Sequence, residues 1–346
     1  SCATYIIGFT MAGRRAIVHE VSVVQGLAGA GAGRVDMAVG LYSPSRRDYD
    51  LVLPEGILAR PAFGYSATPQ DSSADGLRVE VGDRYRVRSL RTDVAAVSTL
   101  VAQGSAALPP VSVTLTIEPS TTGLLLKGEV VNNSAETLRD CVVLVPGSKQ
   151  ILGDIAPGAH AAVSVYIAGG RAPQAPLNTV LPPGVQMLSN LGGGYVATGD
   201  TTIDDILGTT PYSYAYYNDI KTARRYSLLN AITNNYATTR GSGVYLSAWS
   251  DKAPFTVSVE DSPFDTRAET LYLLRLPTTF VPGSDASKLT LSPDLMVWQP
   301  LDQQTSNGSY GPYDIYLYDN DQVSFLFRPT QPVAYGGVDQ VVVHFD

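Results

Sequence analysis

The sequence predicts a mainly β protein with two or three β-sandwich-like domains and one small helical segment. Three observations predict this class: several runs alternate apolar and polar residues, turn-forming residues separate the runs, and charged residues are scarce. Only 16% of the 346 residues are charged, against about 25% in an average domain. Long surface helices are normally rich in Glu and Lys, so this composition favours strands. At the usual domain size, the length predicts more than one domain.

The first 108 residues are predicted as a tail followed by a β-rich domain. Residues 1–15 form the membrane-proximal tail, whose apolar stretch is far shorter than the ~20 residues that a membrane span needs. Two interpretations stay open: the trimmed end of a transmembrane helix, or a segment after a lipoprotein cleavage site with a lipidated Cys2. Residues 16–108 form the β-rich domain, with strands predicted at residues 17–24, 34–42, 49–53 and 84–90.

A glycine-rich stretch at residues 26–33 separates the first two predicted strands. A phosphate-binding loop would lead into a helix, whose backbone N–H groups meet the phosphate. Residues 34–39 instead have a strand-like pattern, and no Gly-Lys-Ser/Thr motif follows. The sequence therefore predicts a hairpin loop here, and no nucleotide cofactor.

Residues 109–170 form a second, more regular β unit. Val111, Val113, Leu115 and Ile117 alternate with polar residues, and residues 161–167 repeat this period of two. Turn residues Asn132-Asn133-Ser134 and Pro157-Gly158 separate the strands. Residues 171–200, rich in Pro and Gly, are predicted as a linker or crossover.

Residues 201–346 are predicted as a helical segment followed by a β-sandwich-like domain. Asp200 can cap a short helical turn, and Asp219 can cap a longer helix with Tyr226, Leu229 and Ile232 at three- and four-residue spacing. The helical segment ends near residue 236. Strands are then predicted at residues 255–260, 323–328 and 341–345.

A turn is predicted at Asp319-Asn320-Asp321, making a hairpin between residues 315–318 and 323–327. These oxygen-bearing side chains suit calcium, but the Gly and terminal Glu of an EF-hand loop are absent. The hairpin is the simpler interpretation, and no metal site is predicted.

The charge pattern argues against nucleic-acid binding, because phosphate recognition needs a basic patch and the net charge is −8. The pairs Arg14-Arg15, Arg46-Arg47 and Arg224-Arg225 are interpreted as solvated charges. A buried free thiol at Cys141 is favoured over a Cys2–Cys141 bridge. Scattered histidines predict structural roles rather than a triad or metal set; they are His19, His160 and His344.

Paired carboxylates give the only enzymatic alternative, a glycan-active hydrolase, since glycosidases use two carboxyl groups at roughly 5–10 Å. The alternative is that these carboxylates, which lie at helix starts or strand ends, cap a helix or remain solvated. The candidates are Asp204-Asp205, Glu260-Asp261 with Asp265, and Asp314 with Asp319 and Asp321.

Two clusters of aromatic residues are the most distinctive feature and the predicted binding residues. Exposed aromatic side chains pack on sugar rings or protein partners. The alternative is that these side chains seal the helix onto a sheet. The predicted binding residues are Tyr212, Tyr214, Tyr216, Tyr217, Trp298, Tyr313, Tyr316 and Tyr318.

The stretch from residue 124 to residue 167 resembles the small immunoglobulin-like modules of bacterial surface proteins. It contains a strand that ends in Asn132-Asn133-Ser134, an opposing strand at residues 138–144, and a Leu-Gly-x-Ile-x-Pro-Gly corner at residues 152–158. Residues 13–25 and 40–47 resemble uncharacterised membrane-anchored bacterial proteins. The resemblance implies an immunoglobulin-like central domain and an outside-facing location, and it implies no activity.

Together these features predict a non-enzymatic, extracytoplasmic domain of a membrane-anchored bacterial protein. It would bind a glycan or an envelope protein, or act as a spacer, and it would meet the membrane through flanking segments outside this chain. No cofactor is predicted.

Overall fold

The computed structural model describes residues 15–61, 78–81, 85–94, 96–120, 123–146, 148–167, 201–208, 220–233, 243–281, 296–304, 309–310, 315–316 and 322–329. Within these ranges the protein is mainly β, as predicted. The strands are β1 (Ala16–Leu27), β2 (Ala32–Ser43), β3 (Arg47–Leu53), β4 (Leu58–Pro61), β5 (Arg78–Val81), β6 (Tyr85–Thr92), β7 (Ala96–Ala107), β8 (Val111–Ser120), β9 (Gly123–Asn132), β10 (Leu138–Val145), β11 (Ser148–Ile155), β12 (His160–Ile167), β13 (Tyr245–Ser250), β14 (Ser258–Val259), β15 (Phe264–Arg275), β16 (Thr279–Phe280), β17 (Met296–Gln304), β18 (Ser309–Tyr310), β19 (Ile315–Tyr316) and β20 (Gln322–Pro329). The helices are α1 (Thr201–Leu207) and α2 (Ile220–Thr233).

The largest sheet, the main sheet, has eight strands in the order β11-β10-β13-β15-β1-β2-β7-β4. Its central pair, β1 and β15, runs parallel, with Ala16 opposite Phe264 and Leu27 opposite Arg275. The other neighbouring strands pair antiparallel. The main sheet therefore joins strands from residues 16–107, 138–155 and 245–275. The division into domains at residues 108 and 170 stays a prediction, and strands of all three regions hydrogen-bond within one sheet.

Two four-stranded sheets pack against one face of the main sheet. Their orders are β12-β9-β8-β16 and β14-β3-β6-β5, and two further two-stranded sheets are β17-β20 and β18-β19. One hydrophobic cluster joins the main sheet to both four-stranded sheets through side chains such as Val39, Leu51 and Leu126. The arrangement is sandwich-like, while immunoglobulin-like character in residues 109–170 stays an expectation.

The two helices cover the opposite face of the main sheet. Tyr226, Leu229 and Ile232 of α2 are buried against Trp249 and Leu271 of the sheet, which confirms the predicted apolar stripe. Because each fully buried Leu or Ile contributes roughly 1.5–3 kcal/mol, this contact holds the helices on the sheet. Burial from both sides also explains why residues 21–24 of β1 form an unbroken buried run.

The glycine-rich stretch forms the predicted hairpin. Strands β1 and β2 pair antiparallel on either side of it, and the backbone N–H of Ala30 donates to the carbonyl of Leu27 at 3.0 Å. No helix follows the loop, since β2 begins at Ala32. The structure thus contradicts a phosphate-binding loop.

Two strand predictions are corrected. The strand predicted at residues 255–260 is only the two-residue β14, which pairs with Leu51 and Val52 of β3. The predicted hairpin between residues 315–318 and 323–327 is wrong, because β20 pairs with β17 and β19 pairs with β18. Alternation reveals strands but not their partners, and β17 offers β20 a longer ladder.

Several predictions fall outside the described residues. These are most of the tail at residues 1–15, the linker at 171–200, the strand at 341–345, the caps Asp200 and Asp219, and the turn at residues 319–321. Within the described part of the chain, neither helix combines the length and the apolar character needed to cross a bilayer.

Candidate functional site

Most of the aromatic residues predicted as a binding face lie outside the described residues. They are Tyr212, Tyr214, Tyr216, Tyr217, Tyr313 and Tyr318. Trp298 lies on β17 opposite Phe327, and Tyr316 lies on β19 opposite Ser309. These two residues belong to different two-stranded sheets.

The carboxylates proposed for a hydrolase lie in ion pairs with cationic side chains. Asp205 pairs with Lys149 at 2.8 Å, and Asp265 pairs with Arg15 at 3.2 Å. Glu260 contacts Arg86 and Arg88 at 3.2 and 3.4 Å. Asp261 is exposed at a turn, and Asp314, Asp319 and Asp321 lie outside the described ranges. Asp205, Glu260 and Asp265 therefore have cationic partners, and the Arg88 Nη1 that contacts Glu260 also contacts Asp50 at 2.6 Å, so that a guanidinium lies between these two carboxylates.

Cys141 is a fully buried free thiol, as the sequence favoured. Burial, with a smaller effect of nearby Asp154, raises its pKa to about 12. A thiol that holds its proton this strongly is a poor nucleophile and a poor metal ligand. In the described ranges, no three His, Cys, Asp or Glu side chains form a group that could hold a metal ion.

Two adjoining cavities lie beside α2, on the helix-covered face of the main sheet. The first, here the indole cavity, measures about 260 Å³ and the second, here the cationic cavity, about 350 Å³. Lys221 contributes to both walls. The indole cavity is lined by Asp140, Ile206, Leu207, Lys221, Thr222, Arg225 and Trp249. The cationic cavity is lined by His19, Lys221, Arg224, Asp251, Arg267, Ala268 and Glu269.

Arg225 connects α2 to the main sheet through two hydrogen bonds and one ring contact. Its Nε donates to Oε1 of Glu269 at 2.7 Å, and its Nη1 donates to Oδ2 of Asp140 at 2.7 Å. Its guanidinium carbon lies 4.6 Å from the centre of the Trp249 ring, which is a cation–π distance. Burial lowers the pKa of Arg225, but the bonds to Glu269 and Asp140 more than offset this and raise it. Arg225 is therefore a permanently charged, immobilised group.

The sequence interpretation of Arg224-Arg225 as solvated charges is wrong for Arg225. Its side chain is only 13% exposed, and that of its partner Glu269 only 4%. A signal was present in the spacing, because Arg225 lies four and seven residues before Leu229 and Ile232 on the same helix face. A charged residue in line with an apolar stripe indicates a buried ion pair.

The cationic cavity carries more positive than negative charge. Arg224 reaches Glu269 at 3.4 Å, but the same carboxylate is held more closely by Arg225. Asp251 is shared between Lys221, at 3.9 Å, and Arg139. Together the two cavities are lined by four cationic side chains and three carboxylates. The cations are Lys221, Arg224, Arg225 and Arg267, and the carboxylates are Asp140, Asp251 and Glu269.

His19 lies on β1 directly opposite Arg267 of β15. Burial, and then the positive charges of Arg224 and Arg267, lower the pKa of His19 below its usual value. The imidazole is therefore mostly neutral at pH 7. Sequence reasoning missed this residue as part of a site, because its charged neighbours are more than 200 residues away along the chain. By contrast, His160 is exposed and contacts Glu129 at 3.2 Å.

Comparisons with known proteins assign no activity to this surface. A family model described as a domain of unknown function, DUF8725, matches residues 113–279, just under half of the chain. No curated protein matches. The chain is similar to the solved yeast delta-COP-I mu-homology domain, alone and complexed with a Dsl1 WxWxV peptide, at 10% identity and TM-scores of 0.34 and 0.35. Each comparison covers 75% of this chain and 98% of the yeast chain. A similarity at this level is no basis for assigning a function.

Proposed function

We propose that this chain is a non-enzymatic binding module, the extracytoplasmic domain of a membrane-anchored protein, and that its ligand is a protein partner. The observation that carries this proposal is the pair of adjoining cavities along α2. Arg225, which lines the indole cavity, is held in place by its contacts with Glu269, which lines the cationic cavity, and with Trp249. A surface whose side chains are already fixed loses less conformational entropy when a partner binds.

The composition of the cavities favours a protein as the ligand. The indole cavity offers apolar surface from the partly exposed Ile206 and Leu207 beside the charged Arg225 and Asp140, while Trp249 at its base is buried under Arg225. Protein interfaces combine such aliphatic surface with Arg, which is a frequent binding hot spot. The glycan alternative relied on tyrosine clusters, most of which lie outside the described residues.

A glycan-active hydrolase is less favoured. Such an enzyme needs two carboxyl groups facing a cleft. Among the described candidates, Asp205, Glu260 and Asp265 are held by Lys149, Arg86 and Arg15, and none of them lines the two cavities. The low charge content and strand-rich composition support the extracytoplasmic location.

Site-specific crosslinking tests the proposal. A photo-reactive residue replaces Thr222, which lines the indole cavity, and a control replaces Thr114, which is exposed on β8. We expect ultraviolet light to produce one discrete protein adduct in cells from position 222 and none from position 114. Equal adducts at both positions, or product release from a polysaccharide by the purified chain, would contradict the proposal.

A further inference from the structure

Two arginines of the cationic cavity, Arg224 and Arg267, are poorly compensated by the acidic side chains of the described residues. Arg267 is exposed on β15 and has no acidic partner among the residues that the structure describes. Two acids lie two residues from Arg267 on this strand: Glu269 is almost fully buried and already accepts a bond from Arg225 at 2.7 Å, and Asp265 pairs with Arg15 at 3.2 Å. Arg224 contacts Glu269 only at 3.4 Å. Two arginines thus line one cavity with more N–H donors than the carboxylates of the described residues accept, since a guanidinium carries five N–H donors.

We propose that the two cavities together bind an acidic peptide segment of the partner. A side-chain carboxylate of that segment occupies the cationic cavity between His19 and Arg267, and an apolar side chain of the same segment occupies the indole cavity beside Ile206 and Leu207. This inference rests on the proposed function and adds the chemistry of the ligand.

Charge complementarity identifies the carboxylate. The chain as a whole has a net charge of −8, so the local excess of cationic side chains is a departure from the rest of the surface. Arg recognises a carboxylate with two parallel hydrogen bonds, which gives direction as well as attraction. The cavity of about 350 Å³ has room for a carboxylate and its aliphatic stem.

The indole cavity identifies the ligand as a peptide rather than a polyanionic sugar. Ile206 and Leu207 present apolar surface only one side chain, Lys221, away from the cationic cavity. A polyuronate repeats carboxylates along a polar chain and has no aliphatic group for this wall. A peptide can supply both an acidic and an apolar side chain, one for each cavity.

His19 reports on occupation of the cationic cavity. Its charged neighbours are Lys221 and Arg224 on α2, Arg267 and Glu269 on β15, and Asp251 after β13. A bound carboxylate stabilises the imidazolium form, so binding raises the pKa of His19 and affinity increases as the pH falls. The exposed His160 serves as an internal reference, because it lies on β12 with Glu129 as its partner.

The test is an NMR titration of the full chain with a blocked pentapeptide of alternating Glu and Leu. We expect binding that weakens about tenfold when Gln replaces Glu in the peptide, since a charge-assisted hydrogen bond contributes about 1.5–3 kcal/mol. The Arg267→Gln variant should weaken binding by a similar factor, while Arg91→Gln, an exposed arginine of β6, should leave it unchanged. The pKa of His19 should rise on binding, and the ring resonances of His160 should not move when the peptide is added.

Three outcomes would overturn the inference: equal affinity for the Glu and Gln peptides, equal effects of Arg267→Gln and Arg91→Gln, or tighter binding of polygalacturonate than of the peptide. Failure here is distinguishable from failure of the proposed function. If position 222 still crosslinks a protein while the acidic peptide does not bind, only the ligand chemistry is wrong. Arg267 is exposed, so its substitution leaves the fold intact.

Discussion

The side-chain amide of Asn132 donates a hydrogen bond of 2.8 Å to the backbone carbonyl of Ile155, 23 residues later. The same amide donates to the carbonyl of Glu136 at 2.7 Å, and its oxygen accepts from the backbone N–H and the hydroxyl of Ser134. One fully buried side chain thus joins the end of β9 to the corner before β12. This relationship gives a physical reason for the Asn-x-Ser and Ile-x-Pro-Gly motifs seen in the sequence.

Replacing Asn132 should unfold this corner. Asn132→Ala removes the side-chain donor of the buried Ile155 carbonyl, while the Glu136 carbonyl keeps the hydroxyl of Ser134 as a donor. Asn132→Asp places a carboxylate against the same carbonyls. An orphaned buried group costs about 1–3 kcal/mol, so we expect a loss in this range for Ala and a larger loss for Asp. The control is Asn133→Ala, at an exposed neighbour, which should cost less than about 1 kcal/mol. Urea unfolding of the three variants measures the losses, and similar values for Asn132→Ala and Asn133→Ala would contradict the role of Asn132.

Gly128 should tolerate no side chain. It lies within β9 at a φ of 139°, and an added Cβ would lie 1.8 Å from the carbonyl oxygen of Thr114 on β8. Gly128→Ala must therefore push β8 and β9 apart, and we expect a loss above about 3 kcal/mol. Gly153 provides the matched control, because its φ of 74° is also positive but nothing lies within 4 Å. Gly153→Ala should lose only the conformational term of about 1 kcal/mol, so equal thermal shifts in the two variants would argue against the clash.

Glu20 should make the protein less stable at neutral pH than at mildly acidic pH. Its carboxyl is buried, and burial, partly offset by a bond from the backbone N–H of Val257, raises its pKa from 4.5 to about 7. Between these values the unfolded carboxyl is ionised while the folded one keeps its proton. The free energy of unfolding therefore falls as the pH rises from 4.5 to 7, by a total on the order of 3 kcal/mol, and stays lower above that range.

The Glu20→Gln variant removes this pH dependence. We expect it to match the parent protein near pH 4.5 and to exceed its free energy of unfolding above pH 7. The exposed Glu55→Gln changes the net charge equally and should follow the parent profile. Parallel pH profiles for Glu20→Gln and the parent protein would show that Glu20 ionises normally.

The pair of Arg225 and Glu269 should behave as a buried ion pair. Arg225→Met leaves Glu269 with only the longer contact to Arg224, and a buried charge without its partner costs about 3–5 kcal/mol. Adding Glu269→Met should recover most of the lost stability, because the two apolar side chains can pack against each other and no unpaired charge stays buried. The exposed pair of Lys127 and Glu118 is the control, and its removal should cost less than about 1 kcal/mol. If the double variant is no more stable than Arg225→Met, the two residues are not coupled.

Local features of the fold could be predicted from the sequence because they depend on neighbouring residues. Alternation along β8 and β12 follows from one buried and one wet face. The stripe on α2 follows from the pitch of the helix. The hairpin between β1 and β2 could be predicted because a glycine-rich stretch interrupts two strand-like runs.

Features that depend on distant partners could not be predicted. Nothing in β1 indicates that residues 264–275 will be its parallel neighbour, since an apolar strand fits many partners. For the same reason, the predicted pairing of residues 315–318 with residues 323–327 differs from the observed partners of β19 and β20. The cationic cavity exists only because that parallel pairing brings Arg267 opposite His19, so no local pattern could show it.

The parallel pairing of β1 with β15 also sets a condition for making the protein. As the chain leaves the ribosome, β1, β2 and β7 can assemble early, but one side of β1 stays bare until residue 275 has emerged. A bare strand edge recruits other chains, and late closure of distant strands is slow. The stretch 113–279 that matches a family model contains β15 but not β1. Expressed alone, that stretch would present the complementary bare edge, so the boundaries of the sequence match are not the boundaries of a folding unit.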